Sequence, residues 1–245
     1  MRNFKAIFKR EFRSYIHSPV IYVFLIFFLI LNGIFTMKVG GFYESGQADL
    51  RIFFTWHPWL YLFLIPAVSM RLWSEERKSG TIELLFTLPT TMMETMLGKF
   101  FAAWLFTTIA LVLTFPMVIT VMYLGEPDLG VIFTQYIGST LLAGSYLAIG
   151  SFFSATTKSQ VVSFILTFVT CLFLVLIGFG PFLQFFKDIN LPMRVLEQIG
   201  NFSFFTHFAA IQKGILDIRD IFYFVSLMAV SLFGGALVLE NRKAL

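Results

Sequence analysis

Charged residues are scarce in this sequence and are absent from its longest apolar stretches. Asp, Glu, Lys and Arg make up 13% of the 245 residues, which is about half the share that soluble domains carry. Six stretches contain none of these four residue types: 20–37, 53–70, 100–124, 131–156, 160–183 and 221–239. Each is long enough to cross the hydrocarbon core of a bilayer. The composition therefore predicts an all-α membrane protein with six transmembrane helices in one domain, residues 1–245.

Sequence motifs typical of disulfides, catalytic sites and metal sites are also missing. The one cysteine, Cys171, lies in an apolar stretch, so an internal disulfide is excluded. The chain has no phosphate-binding loop and no H-E-x-x-H pattern. Glu75 and Glu76 are adjacent, and adjacent side chains diverge on a helix, so they form a poor acid/base pair. We expect no catalytic residue, no metal site and no cofactor in this chain.

His57 is the one ionisable residue inside the predicted spans. It lies toward the outer end of the second span, beside Pro58, and we interpret it as a hydrogen-bonding surface residue. A carrier driven by protons or sodium generally needs ionisable groups buried in the membrane. An ion-coupled carrier is therefore disfavoured, and energy for transport must come from another subunit.

The N-terminal residues 1–17 have apolar side chains at helical spacing, with cations around the remainder. The apolar positions are Phe4, Ile7, Phe8, Phe12, Tyr15 and Ile16. This pattern predicts an amphipathic elbow helix that lies in the membrane interface and contacts lipid. A signal-peptide n-region is the alternative, but the following apolar run is too long for one, and no small-residue cleavage pattern follows it.

Basic residues give the orientation, because Lys and Arg are enriched in cytoplasmic segments. With the N-terminus inside, twelve of the 18 fall on the cytoplasmic side: Arg2, Lys5, Lys9, Arg10, Arg13, Arg71, Arg77, Lys78, Lys99, Lys158, Arg242 and Lys243. We therefore predict a multi-pass protein of the inner (cytoplasmic) membrane with both termini in the cytoplasm. The basic residues are spread along the membrane borders, so no nucleic-acid partner is expected.

Two further segments carry a packing or topological signal. Small residues recur along the fourth span and predict close helix packing: Gly138, Ser139, Gly144, Ser145, Gly150 and Ser154. Gly178, Gly180 and Pro181 predict the end of the fifth helix. Residues 184–220 then form an extracellular segment, with a short helix over 191–199 and a phenylalanine-rich linker. Whether this segment re-enters the membrane stays open.

The cytoplasmic region 71–91 is the most informative part of the chain. A mixed-charge cluster at Glu75–Lys78 is followed by Ser79-Gly80, which predicts a helix break. A short helix with an apolar face should follow and end near Pro89. Thr91 and Glu94 have the spacing of a capping box, which predicts the start of the next helix. An exposed apolar helix between the ends of the second and third spans indicates a docking element for a soluble partner.

This region resembles the signature of a known family. The pattern Glu75-x-Arg77-x-Ser79-Gly80-Thr81-Ile82-Glu83-Leu84-Leu85-x-Thr87-x-Pro89 is similar to the cytoplasmic loop of ABC-2-type permeases, the membrane subunits of type V ABC transporters. The layout of elbow helix, six spans and an outer segment with short helices before the last span is similar too. The closest branch is that of gliding-motility-type permeases.

The resemblance implies a half-transporter that pairs with a second permease copy or homologue and with two separate ABC ATPase subunits, which hold ATP and Mg. An accessory extracytoplasmic protein is a further conceivable partner. The short cytoplasmic helix would be the coupling helix. The implied ATPase-coupling interface is Glu75, Glu76, Arg77, Gly80, Thr81, Ile82, Glu83, Leu84 and Leu85, with Glu76, Arg77, Thr81 and Glu83 meeting the ATPase.

Two functions follow from this resemblance. The first is an ATP-driven export permease, for which the family's substrates include lipids, polysaccharides, drugs and peptides. The second is a scaffold that uses the same ATPase to transmit force to, or to extract, another membrane protein. The sequence does not name the substrate, the direction of transport or the identity of the second permease.

Overall fold

The computed structural model describes residues 2–86, 90–182, 184, 198 and 200–243, and every regular element in them is helical. The twelve α-helices are α1 Arg2–His17, α2 Pro19–Ile34, α3 Arg51–Thr55, α4 His57–Ser69, α5 Arg71–Ser79, α6 Thr81–Phe86, α7 Met92–Val112, α8 Pro116–Leu124, α9 Leu129–Thr156, α10 Gln160–Leu176, α11 Phe204–Gln212 and α12 Ile218–Lys243. A π-helical turn, Phe35–Val39, extends α2.

Among the residues that the structure describes, four helical stretches are long and apolar enough to cross a membrane. They are Ile21–Val39, Met92–Leu124, Leu129–Thr156 and Ile218–Asn241. Gln160–Leu176 is also apolar but shorter. The predicted second span is divided between α3 and α4, with Trp56 between them and Pro66 inside α4.

Helix α9 is the centre of the fold. It packs against α4, α5, α7, α10, α11 and α12. The six small residues predicted to allow close packing are all buried on it. At Gly150 the approach is closest, because an added Cβ would lie 1.9 Å from Ser69 Oγ and 2.5 Å from Ser69 Cβ on α4. The prediction of close packing is confirmed for this helix.

Several helix ends follow their local sequence. Ser18 precedes Pro19, the first residue of α2, although the Ser18 side chain makes no capping hydrogen bond. The helix α10 ends at Leu176, two residues before Gly178. The predicted third span is interrupted between α7 and α8, where Pro116 opens the second helix.

The phenylalanine-rich segment expected to be a linker is instead the helix α11, and its Phe204 and Phe208 are buried. Ser203 caps it by accepting a hydrogen bond from the Phe205 amide at 3.0 Å. The apolar spacing of these rings therefore reports a packed helix face. The predicted helix over 191–199 and the C-terminal end of the fifth span at 183 lie outside the described residues, as do residues 87–89.

The amphipathic helix α1 packs along α7. Phe4 meets Phe101 edge-on with ring centroids 6.0 Å apart, and Tyr15 stacks on Phe106 at 5.7 Å. An added Cβ at Gly98 would lie 2.8 Å from Ile7. The apolar face predicted to face lipid is therefore half-buried against the next long helix.

Candidate coupling site

The candidate coupling region, residues 71–91, begins with two short helices on either side of Gly80. Helix α5 ends at Ser79, and Gly80 follows it with φ of 74°. This left-handed conformation suits glycine because it has no Cβ. Helix α6 begins at the next residue. The predicted break at Gly80 is thus confirmed, and the chain turns there between α5 and α6.

Helix α7, which follows the candidate coupling region, starts with the predicted capping box. Thr91 Oγ1 accepts a hydrogen bond from the Glu94 amide at 3.1 Å, and Glu94 Oε2 accepts one from the Thr91 amide at 3.3 Å. Two amides that would lack partners at the start of α7 are therefore satisfied. This fixes where the coupling region ends and the long helix begins.

Serine side chains of α9 bind the first turn of α5. Ser154 Oγ accepts hydrogen bonds from the Trp73 and Ser74 amides, both at 3.0 Å, and donates to the Met70 carbonyl at 3.0 Å. The Trp73 indole donates to Ser151 Oγ at 3.3 Å. Trp73 is fully buried. Helix α5 is thus fixed to the central helix at its membrane end.

Arg77 joins the other end of α5 to the C-terminal end of α9. Its Nη1 donates to the Ala155 carbonyl at 2.6 Å, and the residue is 9% exposed. Carbonyls in the last turn of a helix lack intrahelical partners and favour a cation. Together with Ser154, Arg77 therefore holds α5 against the C-terminal end of α9 from Trp73 to Arg77.

Glu76 connects α5 to α7 and α1 through a buried lysine. Lys99 Nζ lies 2.8 Å from Glu76 Oε1 and 3.4 Å from Glu11 Oε1. It also lies 5.2 Å from the centroid of the Trp73 ring, in the range of a cation–π contact. The Lys99 side chain is 4% exposed. Three helices, α1, α5 and α7, thus converge on one ammonium group.

The predicted interface residues divide into two groups. Glu75, Gly80, Thr81 and Glu83 are exposed. Glu76 and Arg77, by contrast, bond to residues of other helices, Glu76 to Lys99 and Arg77 to Ala155. Ile82 is partly buried against the core. The backbones of Leu84 and Leu85 belong to α6, but their side chains lie outside the described ones.

Sequence reasoning missed the inner half of this site. Lys99 was counted among the cytoplasmic basic residues, just before the third span, whereas it is 3% exposed. The sequence shows only that Glu11 and Glu76 carry a charge opposite to that of Lys99 and lie on separate segments. Their meeting depends on how α1 packs against α7, which no spacing within one helix reports.

His57 also differs from its prediction, because it is fully buried and not a surface residue. Its Nδ1 lies 2.7 Å from Ser139 Oγ and its Nε2 lies 3.0 Å from Asn32 Nδ2. The Tyr61 hydroxyl shares Ser139 at 2.7 Å. Polar partners on α2, α4 and α9 therefore allow a histidine to be buried among apolar helices. The protein therefore does contain a buried ionisable group. The earlier reason for disfavouring an ion-coupled carrier is thereby removed.

Replacing Ser139 with alanine should destabilise the protein by about 1–2 kcal/mol, because both His57 and Tyr61 lose a buried hydrogen-bond partner. Thermal unfolding in detergent or nanodiscs measures the change. Ser226→Ala is the matched control, since the Ser226 hydroxyl bonds only within its own helix, to the Tyr223 carbonyl. Equal effects of the two substitutions would contradict a structural role for the His57 cluster.

Long apolar helices pack around α9, and the short helices α5 and α6 lie at one end of it. This arrangement defines a multi-pass membrane protein. The chain belongs to the ABC-2 family of transporter proteins, whose family model matches residues 59–235. The match covers more than two thirds of the chain and includes the whole coupling region. No curated protein matches the sequence. Members of this family are membrane permeases of ABC transporters, which generally work with an ABC ATPase on a separate subunit.

Proposed function

We propose that this chain is the permease subunit of an ATP-driven ABC exporter and is coupled to its ATPase through residues 71–91. The observation that carries the proposal is the attachment of α5 to three other helices. A force applied at Gly80 and α6 reaches α9 through Arg77 and Ser154, and reaches α1 and α7 through Glu76 and Lys99. A loop attached in this way transmits motion, whereas a loosely tethered loop would absorb it.

The direct contact with the ATPase is assigned to the exposed part of the coupling region. Thr81 and Glu83 are exposed on α6. Glu76 and Arg77 act one step further in, as the connection between that surface and the body of the protein. This assignment revises the roles implied by sequence resemblance, in which both residues meet the ATPase themselves.

The proposed membrane arrangement has six spans, with α3 and α4 forming the second and α10 the fifth. Helix α1 is the interfacial elbow helix, and both termini lie on the cytoplasmic side of the inner membrane. A second permease copy completes the transport pathway. Charge supports the orientation, because the basic residues concentrate on the side of the coupling region. Labelling of single cysteines at positions 83 and 126 with a membrane-impermeant thiol reagent tests it.

Purification of the chain from its native membrane in lipid tests the partnership. We expect an ABC ATPase to co-purify and its hydrolysis to be stimulated by a transported solute. Stimulation by another membrane protein alone would favour force transmission or extraction over export. Transport abolished by a protonophore in ATP-loaded vesicles would favour an ion-coupled carrier that uses the His57 cluster.

Replacing Glu83 with alanine should weaken ATPase binding or uncouple hydrolysis from transport, with a tenfold or greater loss of coupled activity if a charge-assisted contact is removed. Insertion and thermal stability should not change, because Glu83 is exposed. Glu126→Ala is the control, since Glu126 is exposed in the turn between α8 and α9. Full coupled activity of Glu83→Ala would place the contact elsewhere.

A further inference from the structure

A cavity of about 320 Å³ lies beside the Lys99 cluster, between α1, α2, α4, α5 and α7. Its size is at the lower end of the range of small-molecule sites. Its lining carries five ionic side chains: Glu11, Arg71, Glu75, Glu76 and Lys99. The lining also includes the apolar side chains of Ile21, Phe24, Ala67 and Val68. A cavity with both kinds of lining suits the headgroup region of an amphiphile.

A narrow apolar groove adjoins this cavity. The two share Phe24 and Val68, and the groove runs between α2, α4 and α7 past Phe28, Leu64 and Ala110. Its accessible lining is almost entirely apolar, and its free volume is about 40 Å³. With so little free volume, the groove can contact a hydrocarbon chain along its apolar lining but cannot enclose one, and it offers nothing to a polar ligand.

Two of the three carboxylates in the cavity already have cationic partners. Glu11 pairs with Arg10 at 2.8 Å and with Lys99 at 3.4 Å, and Glu76 pairs with Lys99 at 2.8 Å, whereas Glu75 has no ion pair with another described residue. The second oxygen of Glu76, Oε2, is buried and has no hydrogen-bond partner among the described residues. A buried carboxylate oxygen without a partner is unfavourable. An ammonium group with N–H donors is the group that would satisfy it.

The Tyr15 hydroxyl adds a neutral donor to the same cavity. Burial raises the pKa of Tyr15 well above its usual value, and Glu11 raises it further. The phenol therefore stays protonated and does not add to the negative charge. Arg71 is exposed at the edge of the cavity, where it can pair with a phosphate.

We infer that this cavity and groove bind one zwitterionic phospholipid with a primary amine headgroup, drawn from the leaflet beside α1. The ammonium donates to Glu76 and Glu75, the phosphate pairs with Arg71, and one acyl chain lies along the groove lined by Phe28 and Leu64. This goes beyond the proposed coupling to an ATPase. Binding requires no hydrolysis, so its failure would leave that proposal untouched.

Native mass spectrometry of the full chain with lipids of identical acyl chains tests the site. Phosphatidylethanolamine should bind about tenfold or more tightly than phosphatidylcholine, whose ammonium has no N–H donor, and than anionic phosphatidylglycerol, which has no ammonium to donate to Glu75 and Glu76. Equal binding of all three lipids, or a preference for phosphatidylglycerol, would overturn the inference. Soluble phosphoethanolamine should not compete at equal concentration, and effective competition would overturn the assignment to a lipid.

Two variants connect the preference to the cavity. Glu76→Gln should reduce the preference for phosphatidylethanolamine about tenfold, and Glu75→Gln should reduce it several-fold. Glu75 is exposed, so its variant should keep the stability of the parent protein even if Glu76→Gln does not. Glu44→Gln, at an exposed acidic residue before α3, is the control. An unchanged preference in Glu75→Gln and in any folded Glu76→Gln protein would refute the site.

Discussion

Replacing Lys99 with methionine is expected to lower the free energy of unfolding by about 3 kcal/mol. Methionine keeps most of the length of the side chain but removes the ammonium, so Glu76 loses its cation, whereas Glu11 keeps Arg10 at 2.8 Å. Removing one partner of a buried ion pair is strongly destabilising because it leaves an uncompensated charge. The Glu76 side chain is 22% exposed, so solvent compensates for its charge only in part. Chemical or thermal unfolding in nanodiscs measures the loss.

The matched substitutions separate charge from packing. Adding Glu76→Gln to Lys99→Met removes the uncompensated carboxylate and should recover much of the stability, since apolar or neutral replacements of buried ion pairs are often tolerated. Coupled activity should not recover, because the connection between α5 and α7 is still lost. Lys158→Met, at an exposed position, should change stability little. Comparable losses in Lys99→Met and Lys158→Met would contradict the buried cluster.

Replacing Gly150 with alanine is expected to destabilise the protein by about 2–3 kcal/mol. The new methyl group would overlap Ser69 Oγ at 1.9 Å and Ser69 Cβ at 2.5 Å. Rotating the Ser69 side chain moves Oγ but not Cβ, so α4 and α9 must move apart. Overpacking of this kind usually costs about 1–3 kcal/mol. Thermal unfolding and the yield of folded protein report the effect.

A second glycine and a compensating change make this prediction specific. Gly33 on α2 has no neighbouring atom within 4 Å of an added Cβ, so Gly33→Ala should be neutral or slightly stabilising. Adding Ser69→Gly to Gly150→Ala should restore most of the lost stability, because it removes the atoms that clash. If Gly33→Ala were as damaging as Gly150→Ala, the contact between α4 and α9 would not be the cause.

The helical architecture was predictable because apolar length and local start and stop signals act within one segment. Pro19, Gly80 and the Thr91–Glu94 capping box all have the roles that their local sequence predicts. The small residues of α9 also predicted its packing. The number of spans is less accessible, because α4 has only 13 residues and is preceded by a break.

The inner half of the coupling site could not be predicted from the sequence. Lys99 and Glu76 are 23 positions apart, and Arg77 and Ala155 are 78 apart. Such contacts depend on how separate helices pack. His57 shows the same limit, since its burial depends on Asn32 and Ser139 from other helices. The loop signature indicated a coupling region, but not which of its charged residues face inward.

The central claim is that a separate ATPase drives this chain through the exposed part of the coupling region. The single native cysteine, Cys171, is buried, so Glu83→Cys introduces a selectively reactive thiol for a photoactivated cross-linker. We predict that cross-linking in native membranes from position 83 captures an ABC ATPase subunit and that cross-linking from a cysteine at position 126 does not. Capture from position 126 alone, or transport by the reconstituted chain with no nucleotide hydrolase present, would contradict the account.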